Sequence, residues 1–194
     1  MKLLVTGFEP FGGEKINASW EAVRALPCRI ESWELSTLCL PVEFGRAADI
    51  AMKYAFAMKA DAILCIGQAA GRNDVTPELV GINLRHARIA DNAGFQPQDA
   101  PVCPEGNTAY FATMPVRKMA EAILAAGVNA SVSYSAGTYV CNDLLYTLLH
   151  VYNGSSVSVG FIHVPPTPQQ VSSGQPSLTT EACCTAIRAV IASI

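Results

Sequence analysis

Short, uninterrupted apolar runs separated by amphipathic segments constrain the fold of this chain most strongly. The run AILCIG, within a predicted strand at 61–67, has no polar residue on either face. That pattern is typical of a strand buried on both sides of a parallel sheet. Similar runs predict strands at 1–6 and 157–163. Helical patterns between the apolar runs lie at 17–25, 42–59, 115–127, 141–152 and 177–194.

This alternation of strands and helices predicts an α/β fold. The expected architecture is a single domain over residues 1–194, with three αβα layers and a twisted, mostly parallel mixed sheet. Helices should cover both faces, and ligands should bind beyond the carboxyl ends of the strands. The pattern also predicts a strand at 130–134, an extended segment at 77–89 and a long surface loop at 93–107.

Composition excludes several functions. A net charge of -3 and a pI near 5.6 give no basic face for nucleic acid. The apolar runs are too short for a membrane span or a signal segment, so we expect a cytoplasmic protein. Seven cysteines without CxxC spacing favour neither a disulfide framework nor a zinc site, and neither a metal nor an organic cofactor is expected.

Cys141 begins one of the predicted helices, which allows two interpretations. Thiols are common in protein cores, so Cys141 could be a packing residue. Alternatively, unpaired N–H groups at a helix start stabilise a thiolate, which would make Cys141 a nucleophile. A nucleophilic cysteine needs a histidine close by.

His163 is the strongest candidate for that partner because it ends a predicted strand at its carboxyl end. His150 is about 13 Å from Cys141 along the same helix and is better explained as a positive residue at its C-terminus. His86 is predicted to be solvated. The carboxylates that could orient His163 are Glu78, Asp91 and Asp61. Asp61 lies at the opposite end of its strand. Glu78 could instead form a salt bridge with Arg72 or Arg88.

Four stretches of the chain resemble the pyroglutamyl peptidase I family of cysteine peptidases, also called pyrrolidone-carboxylate peptidases. They are TGFEPFGGEKINASWEAV, GQAAGRNDVTPELVGINLRHARIADNAG, SAGTYVCNDLLYTLLH and GFIHVPPTPQQ, in that order. The resemblance implies a cysteine exopeptidase that hydrolyses the amide bond after an N-terminal pyroglutamyl residue. It places the catalytic triad on Cys141, His163 and Glu78, in agreement with the candidates above.

The resemblance also implies substrate contacts. Phe8 and Phe11 would line a pocket for the five-membered lactam ring, with Gln68 at its border. Arg88 would help the backbone N–H of Cys141 stabilise the oxyanion. The partners implied are peptides with an N-terminal pyroglutamate and further copies of the chain in a homo-oligomer, a tetramer.

The chain departs from the usual family pattern at five positions, none of them in the implied triad: Ala18, Ala70, Ala90, Asp143 and Pro166. Ala18 stands where relatives typically have proline. Pro166 replaces an aromatic residue near His163, which puts substrate affinity in question. These departures leave open a family member with altered specificity or no activity. A second alternative is a ligand-binding protein or nucleotide enzyme that uses the glycine-rich loop TGFEPFGGEK for an anion.

Overall fold

The computed structural model describes all 194 residues. Its strands are β1 (Lys2–Phe8), β2 (Arg29–Ile30), β3 (Trp33–Leu40), β4 (Ala62–Gln68), β5 (Thr76–Pro77), β6 (Val80–Ile82), β7 (Ala109–Phe111) and β8 (Ser158–Val164). Its α-helices are α1 (Ala18–Val23), α2 (Arg46–Met58), α3 (Val116–Ala125), α4 (Val140–Val151) and α5 (Thr180–Ser193), with a short 3-10 helix at Pro168–Gln170. None of these helices combines the length and apolar character needed to cross a membrane.

Six strands form one sheet in the order β2-β3-β1-β4-β8-β5, and β6 pairs with β7 separately. The four central strands are parallel, and the short outer strands β2 and β5 are antiparallel to their neighbours. The predicted α/β fold with a mostly parallel mixed sheet is confirmed.

Side chains of the central strands alternate between two apolar cores. Leu64 and Ile66 of β4 pack into the first core with α1, α3 and α5. Ile63 and Cys65 pack into the second core with α2 and α4. Because both faces of β4 are covered, its sequence is continuously apolar instead of alternating.

The glycine-rich loop after β1 is held close to the sheet. The side chain of Asn17 caps α1 by accepting from the N–H of Ser19, and the Ser19 hydroxyl accepts from the N–H of Phe8. A Cβ atom at Gly7 would lie 2.8 Å from the Cα of Trp20, so glycine is required for α1 to pack here. The loop is thereby fixed at the carboxyl end of β1.

The predicted strand at 130–134 was wrong. This segment makes only single bridges, Val75 with Ala130 and Glu78 with Ser133. The neighbouring β5 contains Pro77, which has no N–H for a longer ladder. Within the predicted extended segment at 77–89, Pro77 ends β5 and Val80–Ile82 forms β6. Strand β6 pairs with β7, which was not predicted.

Candidate active site

His163 lies one residue before the carboxyl end of β8, in the interior of the sheet. The pairing of β8 with β4 places His163 opposite Gly67. The histidine is 4% exposed, so its imidazole is shielded from bulk water. This position agrees with the rule that parallel sheets carry their ligand sites beyond the carboxyl ends of the strands.

Glu78 fixes the orientation of this imidazole. Its N–H donates to the carbonyl of Phe161 in β8, which holds the chain beside the strand. The fully buried carboxylate then accepts a hydrogen bond from Nδ1 of His163 on Oε1, at 2.7 Å. Because Nδ1 carries this proton, Nε2 is the nitrogen available for chemistry.

Arg72 binds the same carboxylate oxygen. Its Nη1 donates to Oε1 of Glu78 at 2.6 Å and also to the hydroxyl of Thr76, while Nη2 donates to the carbonyl of Ser135 at 3.1 Å. The sequence suggested Arg72 only as a competing salt-bridge partner for Glu78. In the structure one oxygen of Glu78 accepts from both Arg72 and His163, so the two contacts coexist.

These contacts decide the ionisation of Glu78. Burial by itself raises the pKa of a carboxyl group, but the hydrogen bond and charge of His163, together with the charge of Arg72, lower the pKa of Glu78 below its usual value. Glu78 is therefore ionised. Its second oxygen, Oε2, is buried without a hydrogen-bond partner, since the Ser133 hydroxyl donates to the carbonyl of Ser135.

Cys141 is the second residue of α4, whose N-cap residue is Tyr139. No side chain caps this helix start, so its first N–H groups remain available. Burial nevertheless raises the pKa of the Cys141 thiol to about 12, with Glu78 and Cys65 adding to the rise. Arg72 and the N–H of Cys141 lower it only in part. The side chain is half-buried, and burial outweighs the stabilisation that the helix start alone gives to a thiolate.

The sulfur of Cys141 packs against β4, at Gly67, the residue opposite His163. A Cβ atom at Gly67 would lie 2.9 Å from this sulfur and 2.8 Å from the ring of Phe161. Glycine at position 67 is thus what allows the thiol to approach β4. No hydrogen bond joins Cys141 to His163 in the structure, but both side chains line one cavity. Such contacts are often long before substrate binds.

We refer to this cavity, of about 120 Å³, as the ring pocket. It is lined mainly by apolar side chains: Phe8, Phe11, Asn17, Val42, Gln68, Ala136, Tyr139, Val140, Cys141 and His163. The structure therefore brings together five of the seven predicted site residues, with Glu78 directly behind His163. Tyr139 was not predicted. Its ring lies 6.3 Å from that of Phe11 and 5.3 Å from that of Phe44, measured between centroids.

Gln68 is held by the main chain of α1. Its Oε1 accepts a hydrogen bond from the N–H of Ala18 at 2.7 Å, while its Nε2 has no partner within the chain. A proline at position 18 would have no N–H to donate. This departure from the usual family pattern therefore fixes the Gln68 side chain with its amide NH₂ free.

Arg88 does not line the ring pocket. It is exposed and lines an adjoining cavity of about 660 Å³, which we call the outer cavity. Arg88 forms no ion pair in the structure. The outer cavity shares two residues with the ring pocket and is lined by Phe11, His86, Arg88, Ile89, Gly137, Thr138 and Tyr139.

The other candidate carboxylates have structural partners. Asp91 accepts from the N–H groups of Phe44, Ala93 and Phe95 and so holds a turn. Asp61 accepts from the N–H of Lys2, at the opposite end of the sheet. No cluster of three or more His, Cys, Asp or Glu side chains is arranged to hold a metal ion.

The other two histidines lie outside the ring pocket. His150 is in the last turn of α4, where Nδ1 contacts the hydroxyl of Tyr110 at 2.8 Å and the ring stacks on Tyr146. His86 is not simply solvated, because its Nδ1 contacts Asp99 at 2.8 Å.

The remaining departures do not line the ring pocket. Asp143 faces away from Cys141 and is fully buried, where it pairs with Arg85 and accepts from the N–H of Gly45. Pro166 is buried and its carbonyl accepts from Leu178. Ala90 offers only its carbonyl, to the hydroxyl of Tyr139. Ala70 is exposed in a turn.

Comparisons with known proteins identify the family and the fold. The family model described as "Pyroglutamyl peptidase" matches residues 1–194. A pyrrolidone-carboxylate peptidase of Levilactobacillus brevis is 45% identical, with 98% of each chain covered. One from Streptococcus pyogenes is 46% identical over 88% of this chain and 80% of its own. The crystal structure of Bacillus amyloliquefaciens pyroglutamyl peptidase I has a TM-score of 0.95 at 37% identity, covering 99% of this chain and 95% of that one.

The burial of Cys141 predicts that its reactivity depends on His163. Because the pocket disfavours an isolated thiolate, the thiol should react only when the imidazole accepts its proton. Iodoacetamide should label Cys141 at least about tenfold more slowly in His163→Ala than in the wild type near neutral pH. Exposed Cys28 is the internal control. Equal slowing at both cysteines, measured by peptide mass spectrometry, would contradict the prediction.

The lowered pKa of Glu78 predicts a pH-dependent contribution to stability. In the unfolded chain a glutamate has a pKa of about 4.3. Since the folded value is lower, the contacts of Glu78 stabilise the protein above that pH and are lost as pH falls through the folded pKa. The free energy of unfolding in urea should therefore be higher for the wild type than for Glu78→Gln near neutral pH, and this difference should shrink below about pH 4. A difference that does not change with pH would show that Glu78 is not ionised.

Proposed function

This chain belongs to the pyroglutamyl peptidase family, and we propose that Cys141, His163 and Glu78 perform the reaction by which this cysteine peptidase removes N-terminal pyroglutamate from peptides. The observation that carries the assignment is the buried hydrogen bond from His163 to Glu78, beside a cysteine at a helix start in the same small pocket. A cysteine that only packs would not require an oriented imidazole next to it.

In the first half of the reaction, the sulfur of Cys141 attacks the carbonyl carbon of the pyroglutamyl residue as its proton passes to Nε2 of His163. Glu78 holds the imidazole through Nδ1 and stabilises the positive charge that forms. The N–H of Cys141, at the uncapped start of α4, donates to the oxyanion. His163 then gives its proton to the leaving amine, and the C–N bond breaks to leave a thioester.

In the second half, His163 takes a proton from a water molecule that attacks the thioester. The C–S bond breaks, the proton returns to the sulfur of Cys141, and free pyroglutamate leaves. Arg72 touches neither the sulfur nor the substrate in this scheme. It acts through Glu78, by keeping that carboxylate ionised and in position.

The ring pocket suits a neutral lactam. Phe8 and Phe11 offer apolar contact to the ring, and Gln68 offers its free NH₂ to the lactam carbonyl. Burying a charged group in such an apolar pocket would cost much more than burying a neutral ring. The pocket therefore favours pyroglutamate over a terminus that carries an ammonium group.

Arg88 is proposed as a second donor to the oxyanion. Its position in the outer cavity, next to Phe11 and Tyr139, and its lack of an ion-pair partner support a guanidinium that turns toward the substrate carbonyl. The N–H of Cys141 would be the primary donor, since its place is fixed by α4.

We also propose that the enzyme acts in the cytoplasm as a homo-oligomer, a tetramer. All seven cysteines are free, which suits a reducing compartment. Cell fractionation tests the location, and sedimentation equilibrium tests the number of subunits.

The nucleophile assignment predicts different outcomes for two cysteine variants. Cys141→Ala should abolish release of a dye from a pyroglutamyl amide, because no other thiol lies in the ring pocket. Cys65→Ala, in the core beside it, should retain activity but lose about 1 kcal/mol of stability to the cavity it creates. Activity in Cys141→Ala would overturn the assignment, whereas the Cys65 variant controls for disturbance of the fold.

The pocket chemistry predicts discrimination against proline. A prolyl amide has the same ring size but carries a charged amine and lacks the lactam carbonyl, so it leaves Gln68 unpaired. Its kcat/KM should be lower than that of the matched pyroglutamyl amide by about 10⁴ or more. Phe11→Ala should weaken pyroglutamyl hydrolysis without improving the prolyl amide, because it supplies no countercharge. Similar wild-type values for the two substrates would disprove this account of the pocket.

A further inference from the structure

We propose that the outer cavity binds the residue that follows the pyroglutamyl group, and that it favours an apolar side chain there. This inference rests on the proposed function, because it assigns the place of the leaving part of the same substrate. It makes the outer cavity a second determinant of which peptides are cleaved.

The size of the ring pocket leaves no space for this residue. Pockets that enclose a drug-sized ligand measure about 300–1,000 Å³. The ring pocket, of about 120 Å³, is far below that range, so it suits one small ring. The outer cavity, of about 660 Å³, lies within it. The peptide beyond the scissile bond must therefore lie outside the ring pocket.

The position of the outer cavity suits the leaving part of the peptide. Phe11 and Tyr139 line both cavities, so the outer cavity lies directly beside the ring pocket. Tyr139 is the N-cap residue of the helix that carries Cys141, only two positions from the nucleophile. A chain leaving Cys141 past this aromatic pair enters the outer cavity directly.

A polar cavity on the other side of Glu78 is a less suitable place for the peptide beyond the scissile bond. It includes Arg72, Asp74 and Ser131 and shares no lining residue with the ring pocket. Arg72 is already bound to Glu78, Thr76 and Ser135, which would have to be disturbed for a peptide to pass.

One wall of the outer cavity is apolar and suits an apolar side chain, whereas His86, Arg88 and Thr138 line the rest. Ile89 is 49% exposed, and its Cδ1 would lie 3.9 Å from a Cβ atom at Gly12, so it sits against the loop that carries Phe11. Together with the rings of Phe11 and Tyr139 it gives an apolar surface open to solvent. Covering that surface with an aliphatic side chain removes apolar area from water on both partners.

The test compares three substrates: pyroglutamyl-Leu-Ala, pyroglutamyl-Gly-Ala and the simple amide of pyroglutamate, which has no following residue. In the wild type, kcat/KM for the leucine peptide should exceed that for the glycine peptide by at least about threefold. Ile89→Ser should bring this ratio close to one, and Ile89→Leu should preserve it. Hydrolysis of the simple amide should be unchanged in both variants, which also shows that they fold.

Phe56→Ser is the matched control, since Phe56 is an exposed apolar residue on α2, outside both cavities. It should leave the ratio at the wild-type value. A wild-type ratio near one, or a ratio that Ile89→Ser does not change, would overturn the inference while hydrolysis of the simple amide upholds the proposed function. Failure of the wild type to hydrolyse all three substrates would overturn the proposed function and this inference with it.

Discussion

The pairing of β8 with β4 determines the geometry of the site. In this register His163 lies opposite Gly67, whose missing side chain leaves space for the sulfur of Cys141. On the other edge of β8, β5 pairs antiparallel and delivers Glu78 behind the imidazole. A shift of one residue in the β4–β8 ladder would turn His163 to the opposite core. The apolar side chains that fill both faces of these strands therefore also hold the register on which the chemistry depends.

The charges around Glu78 offset the free-energy cost of burying its ionised carboxylate. An ionised carboxylate with no exposure is unfavourable unless it is paired. Arg72 supplies a positive charge that stays in place whether or not His163 carries a second proton. His163 can then accept and release a proton during the reaction while its support stays in place. Glu78 serves as a stable orienting group because Arg72 compensates its charge.

The central strands were predicted well because each is an uninterrupted apolar run that can be recognised without knowing its neighbours. The strand predicted at 61–67 is observed at Ala62–Gln68, and the helix predicted at 141–152 is observed at Val140–Val151. Short edge elements were predicted poorly, because β7 and the segment 130–134 depend on partners distant in sequence. The roles of Arg72 and Tyr139 were missed for the same reason. Local helix geometry likewise does not reveal the burial that raises the pKa of Cys141.

The contact between Ala18 and Gln68 has a consequence for how relatives are compared. Alanine and proline are both small and apolar, and an alignment scored by side chains treats their exchange at a helix start as mild. The exchange nevertheless removes or adds one amide hydrogen, and here that hydrogen anchors a side chain of the binding site. Substrate preference in such a family can therefore diverge through the main chain, at positions where the side chain itself never meets the ligand.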